Sequence, residues 1–116
     1  MAKPRTTGDL LHRVAFDVRE EIENIDGNTE GNWREQFQLR AGYVHLRGGE
    51  TVLAGRLQGQ HSQVIFVRAS ALSRRVTTDW RVRDVLTGQS FNVRDVTPTD
   101  DRLWLDFLCQ SGVADG

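Results

Sequence analysis

The chain has 116 residues, 38% of them hydrophobic and 27% charged, with a net charge of −1. This is enough for one folded domain with its own core, so the chain is not a disordered polymer and reads as a single domain over 1–116. The only cysteine, Cys109, excludes an internal disulfide, and no stretch has the apolar length of a membrane span or the pattern of a signal peptide.

The charge is unevenly placed. Met1–Glu30 carries four bases and seven acids, Gly31–Val85 nine bases and four acids, and Leu86–Gly116 two bases and five acids. The middle is therefore basic and both ends acidic. All the cations but Lys3 are arginines, which suit planar, bidentate contacts to carboxylate or phosphate. Such a division fits complementary contacts between copies, or proximity to nucleic acid.

Taken in order, residues 1–7 are polar, contain Pro4 and read as a flexible arm. Val14, Phe16 and Val18 alternate with Arg13, Asp17 and Arg19, the pattern of a half-buried strand with Asp17 on the solvent side. Asn24–Asn32 is rich in turn formers and predicts an exposed loop, in which Asp26, Gly27, Asn28 and Glu30 are candidate partner contacts. Trp33, Glu35, Phe37 and Leu39 fall at even steps of a long strand. Tyr43 resumes the pattern after Ala41-Gly42, so a bulge or bend is expected at the glycine.

Gly48-Gly49 breaks the chain. Val52, Leu53 and Leu57 then have helical spacing, predicting a short helix within Glu50–Leu57. Ser62–Ala69 reads as a further strand through Val64, Ile65, Phe66 and Val67, and Ser70–Thr78, with Arg74-Arg75, as a connection. Trp80, Val82 and Leu86 alternate before Thr87-Gly88, and Phe91 and Val93 after it, predicting a hairpin with a two-residue turn. After a turn at Thr97–Asp101 the last strand places Leu103, Leu105, Phe107 and Cys109 on one face and Trp104, Asp106 and Leu108 on the other. The sum is an all-β domain: a small antiparallel β-barrel or sandwich of about six strands, with long loops and one short helix.

Catalytic chemistry is not legible. His12, His45 and His61 are scattered and lack metal-ligand spacing, Cys109 alternates with core residues, and the glycine pairs lack the lysine of a phosphate loop. No catalytic residue, metal site or cofactor is expected. A single-strand nucleic-acid-binding barrel is the alternative reading. Its candidate platforms are Trp33, Phe37, Tyr43, Trp80 and Trp104, and its candidate phosphate contacts Arg34, Arg40, Arg47, Arg81 and Arg83. The near-zero net charge and the core-like alternation of the aromatics count against it.

The order of short motifs carries a resemblance. Gly8-Asp9-Leu10 and Arg13-Val14 open the chain, Trp33 follows a polar loop, and Gly48-Gly49-Glu50 precedes a strand ending in Val67-Arg68. Trp80-Arg81-Val82, Thr87-Gly88, Phe91-Asn92-Val93 and Leu103–Cys109 close it. From Gly8 to Gln110 the chain resembles the head–tail joining family of tailed phages (adaptor, stopper or head-closure proteins), including versions in phage-derived gene transfer particles. The resemblance implies a homo-oligomeric ring, six- or twelve-fold, in the neck of a particle and made in the host cytoplasm. Its partners would be a portal or adaptor protein, a tail terminator or tail tube protein, and double-stranded DNA passing through the channel, with no membrane partner. It also implies that Arg47, Gly48, Gly49, Glu50, Val52, Leu53, Arg56 and Leu57 lie on a segment facing the channel or the neighbouring copy.

Overall fold

The computed structural model describes residues 5–23, 25–27, 29–45 and 61–111. The expected helix within Glu50–Leu57 lies outside them, and so does the whole candidate channel segment Arg47–Leu57. Six antiparallel strands form one sheet: β1 (His12–Glu23), β2 (Thr29–His45), β3 (His61–Arg68), β4 (Arg81–Asp84), β5 (Ser90–Pro98) and β6 (Trp104–Ser111). Their order, β1-β2-β3-β6-β5-β4, closes through pairing of β4 with β1 into a barrel. The helical pieces among the described residues are two 3-10 turns, Thr7–Asp9 and Ser73–Arg75.

Alternation in the strands decides what fills the barrel. Val14 and Phe16 of β1, Ala41 of β2, Ile65 and Val67 of β3, Val82 of β4, Phe91 and Val93 of β5, and Leu105, Phe107 and Cys109 of β6 form one buried cluster. Phe16 meets Phe107 edge-on, with ring centroids 5.5 Å apart. Burial pushes the Cys109 thiol up to about 12, so it is an inert core residue.

The strand order places β3 and β4 on opposite sides, so the connection 69–80 crosses one end of the barrel, where Val76 drops into the core. Ser70 and Ser73 hold this crossing rigid. The Ser70 amide donates to Ser73 Oγ at 2.8 Å, and Ser73 Oγ donates to the Arg68 carbonyl at 2.9 Å. The far end of the barrel carries the β4–β5 turn, and there the chain also leaves β2 at His45 and re-enters at His61.

Several expected details move. The β4–β5 turn is wider than two residues: β4 stops at Asp84, and Leu86, expected on the strand face, is 92% exposed. The Asp84 carboxylate explains this, accepting the Leu86 and Thr87 amides at 2.8 and 3.0 Å. Gly88, at φ 79°, completes the turn. Strand β5 runs on to Pro98, and Leu103 precedes β6 in a turn held by Asp101, half-exposed instead of core-facing.

Gly42 is not a bulge. It pairs with Phe66, whose ring lies where a β-carbon would be. Gly42→Ala should therefore displace Phe66 and lower stability by about 1–3 kcal/mol, the usual cost of overpacking. Thermal unfolding of that variant against Gly42→Ala combined with Phe66→Leu checks it, since the smaller side chain should recover part of the loss.

Of the expected flexible arm, residues 1–4 lie outside the described residues and residues 5–7 are ordered. From Arg5 onward it is fastened to the outer face of β3 and β6. The Arg5 guanidinium donates to both oxygens of Asp106 and lies 4.2 Å from the Phe66 ring centroid. Leu10 completes a second small cluster with Phe66 and Trp104.

Candidate interaction surface

Strand β4 is four residues long, between strands of twelve and nine. Its pairing with β1 ends at Asp17↔Arg81, while β1 and β2 remain paired as far as Glu23↔Thr29. Beyond Asp17 the β1–β2 hairpin therefore leaves the barrel as a two-stranded ribbon. Six more residues of β1 give it a reach of ~20 Å. The predicted loop Asn24–Asn32 is correspondingly shorter. Thr29–Asn32 belong to β2, and Glu30 pairs with Ile22 instead of standing in a loop. Asp26 and Gly27 do sit exposed at the tip, Gly27 at φ 80°, and Asn28 lies outside the described residues.

Two bulges stand where the ribbon departs. The β1–β2 register passes from Phe16↔Phe37 to Asp17↔Glu35, leaving Gln36 extra; the β5–β6 register passes from Val93↔Cys109 to Asp95↔Leu108, leaving Arg94 extra. Bulges bend and twist the strands that hold them. The Gln36 bulge also breaks the even-step pattern: Phe37 and Leu39 pack on the core, whereas Glu35 stands on the outer surface bonded to Arg83. Between the splayed hairpin and β5 opens a groove of ≈ 610 Å³. Arg19, Glu21 and Trp33 line one wall, Thr78, Asp79 and Trp80 the floor, and Asn92, Val93 and Arg94 the other side.

The hairpin's foot is fixed by Asp17, expected on the solvent side but only 1% exposed. Arg81 reaches its Oδ2 with Nε at 3.0 Å and Nη2 at 2.7 Å, and Arg83 Nε adds a contact at 3.3 Å. Arg83 Nη2 continues to Glu35 Oε1 at 2.9 Å, and the Arg81 guanidinium sits 4.6 Å from the Trp33 ring centroid. The hydrogen bond to Asp17, with Glu35 behind it, raises the Arg83 pKa further. One buried carboxylate thus ties β1 to β4 and, through Arg83, to β2. The signal in the sequence was Arg81 and Arg83 at a two-residue spacing, which puts two cations on one strand face in need of an anion.

At the other end Tyr43 stacks on His12 with ring centroids 3.8 Å apart, and its hydroxyl donates to Asp84 Oδ2 at 2.6 Å. Burial would raise the Asp84 carboxyl, but the bonds from Tyr43 and the Thr87 and Leu86 amides hold it below its ordinary value. A carboxyl depressed on folding stabilises fully above its unfolded value, about 3.9, and loses that contribution as pH falls through the lower folded value. Acid unfolding should accordingly be shallower in Asp84→Asn than in the parent below about pH 4. Equal slopes in an acid titration followed by tryptophan fluorescence would contradict this.

Among the described residues the candidate nucleic-acid contacts are engaged within the chain. Arg81 and Arg83 are held by Asp17, Arg34 pairs with Glu20 at 3.2 Å, and Arg40 Nε donates to the Leu10 carbonyl at 3.2 Å. Arg47 lies outside the described residues. Of the proposed platforms, Trp104 is buried, Tyr43 is stacked on His12, and Phe37 and Trp80 pack against the core. No cluster of three metal-ligating side chains occurs among the described residues, and none of their helices is long and apolar enough to cross a membrane.

The barrel is filled by its own side chains, and a charged two-stranded ribbon projects from one end of it. Residues 5–112 match the family of phage head completion proteins, and the chain belongs to that family. Its fold is similar to the solution structure of protein SF1141 from Shigella flexneri 2a, at TM-score 0.67 and 18% identity over 94% of this chain and 98% of that one. It is also similar to a chain in the virion of a native gene transfer agent particle, at TM-score 0.61 and 18% identity over 96% of this chain and 98% of that one. No curated protein sequence matches it. Membership assigns the chain a structural role in the head and neck of a virion, not an enzymatic one.

Proposed function

We propose that the chain forms a homo-oligomeric ring, six- or twelve-fold, in the neck of a phage or phage-like particle. The ring joins a portal or adaptor protein on one side to a tail terminator or tail tube protein on the other, and packaged duplex DNA passes through its channel. The observation that carries this reading is the family match across the whole barrel, residues 5–112. The geometry supports it: the ends of the barrel differ, one bearing the charged hairpin and the other the β4–β5 turn with the exposed Leu86. Unlike ends suit contacts to unlike neighbours.

Removing the chain from a producing strain should leave heads and tails that do not join, and supplying it should restore joined particles. Normal tailed particles made without it would refute the proposal. The segment containing Arg47–Leu57 is proposed to face the channel or the next copy. Replacing Thr51–Gln58 with a Gly-Ser linker should then leave the barrel's melting curve unchanged while particles lose DNA or fail to take tails. A variant that folds and still yields transfer-competent particles would remove that role.

A further inference from the structure

Two surfaces at the hairpin end of the barrel have opposite charge and matching apolar centres. The projecting ribbon, residues 18–34, carries five acids against two bases, a net −3. Its tip presents Ile25, 100% exposed, between Glu23 and Asp26. The end of β3 and the connection that crosses the barrel, residues 68–80, carry Arg68, Arg74 and Arg75 against one acid, Asp79, a net +2. All three arginines are exposed, and Leu72, 42% exposed, lies among them. The Ser70–Ser73 hydrogen bonds hold this turn in one shape, so its side chains are presented on a rigid base.

The tip stands ~20 Å beyond the last pairing of β1 with β4, where β1 is paired with β2 alone. A ribbon with a −3 balance is repelled by a phosphate backbone and attracted by an arginine surface. A two-stranded ribbon is also marginal alone and gains from a partner. We infer that the hairpin tip of one copy docks on the Arg68–Thr78 crossing of a second copy, Ile25 against Leu72, with Glu21 and Glu23 facing Arg74 and Arg75. The two faces differ, so the contact is heterologous and repeats around an axis, as a closed ring requires. The inference rests on the ring reading above and names the surfaces that would build it.

Chains carrying both Glu23→Cys and Arg74→Cys, with Cys109 buried, test this in assembled particles treated with a short bismaleimide. The expected result is a ladder of dimers and higher multimers with the double variant and none with either single variant. Particles whose neck shows a ring of this chain, but no ladder, overturn the hairpin contact and leave the ring standing. Particles that contain the chain without a ring overturn both. Charge reversal gives a second readout. Glu21→Arg with Glu23→Arg, or Arg74→Glu with Arg75→Glu, should lower the yield of joined particles at least about tenfold, because like charges then meet. Combining the two reversals should restore it. Reversals that fold but leave the yield unchanged, or that do not rescue one another, overturn the contact.

Discussion

Phe107→Ala is expected to destabilise the protein by roughly 3–5 kcal/mol, the cost of removing a fully enclosed aromatic ring from a core that cannot collapse around the gap. Phe107 is fully buried, lies edge-on to Phe16, and belongs to β6, which pairs with both β3 and β5. Its backbone is therefore held on two sides and cannot slide to fill the space. Chemical denaturation should show a lower midpoint with an unchanged slope. A midpoint equal to that of the parent would mean that the ring contributes nothing to closure. Phe107→Leu, which keeps much of the volume, should cost less.

Asp17→Ala is expected to cost about 3 kcal/mol, the lower end of the range for removing one partner of a buried ion pair. The discount arises because Arg81 and Arg83 keep some contact with water, their side chains being 16% and 32% exposed. The loss should be local as well as global. Without the carboxylate the two guanidiniums repel each other at the seam where β4 meets β1, and the hairpin loses its fastening to the barrel. Hydrogen exchange should accelerate first across Val18–Glu23 and Thr29–Arg34, before the β5–β6 pair is affected. Asp17→Asn, which keeps one acceptor, should fall between. Uniform acceleration across the barrel would show that the carboxylate supports the core rather than the ribbon.

How much of this was legible in the sequence depended on the range of the interaction. The strand expected over Ser62–Ala69, the inward set Phe91, Val93, Leu105 and Phe107, and the apolar nature of Cys109 follow from patterns among near neighbours. These features stand as read. Asp17 also obeys alternation and lies on the outer face, but Arg81 and Arg83, 64 and 66 residues later, roof it over. No local pattern contains that pairing. The hairpin was hidden for a related reason. Apart from Ile25, its tip and the first residues of β2, Asn24–Asn32, are polar or glycine, and such a run reads as a loop. The bulge at Gln36 moved Glu35 out of the face that even spacing gave it, while the glycine suspected of bending β2 serves to seat the Phe66 ring. Arg5 was likewise unreadable, since its anchor Asp106 lies 101 residues away.

The crossing at residues 69–80 also bears on how the proposed ring would leave a passage for DNA. Val76 stoppers one mouth of the barrel, and the space below it is filled by Phe16, Phe91 and Phe107. Each copy is a brick, not a length of pipe. In the proposed ring, then, the bore is the gap left between bricks, and its width follows from how many stand in the circle. In that proposed arrangement the diameter of the bore would change with the number of copies, while every strand of the fold stays as it is.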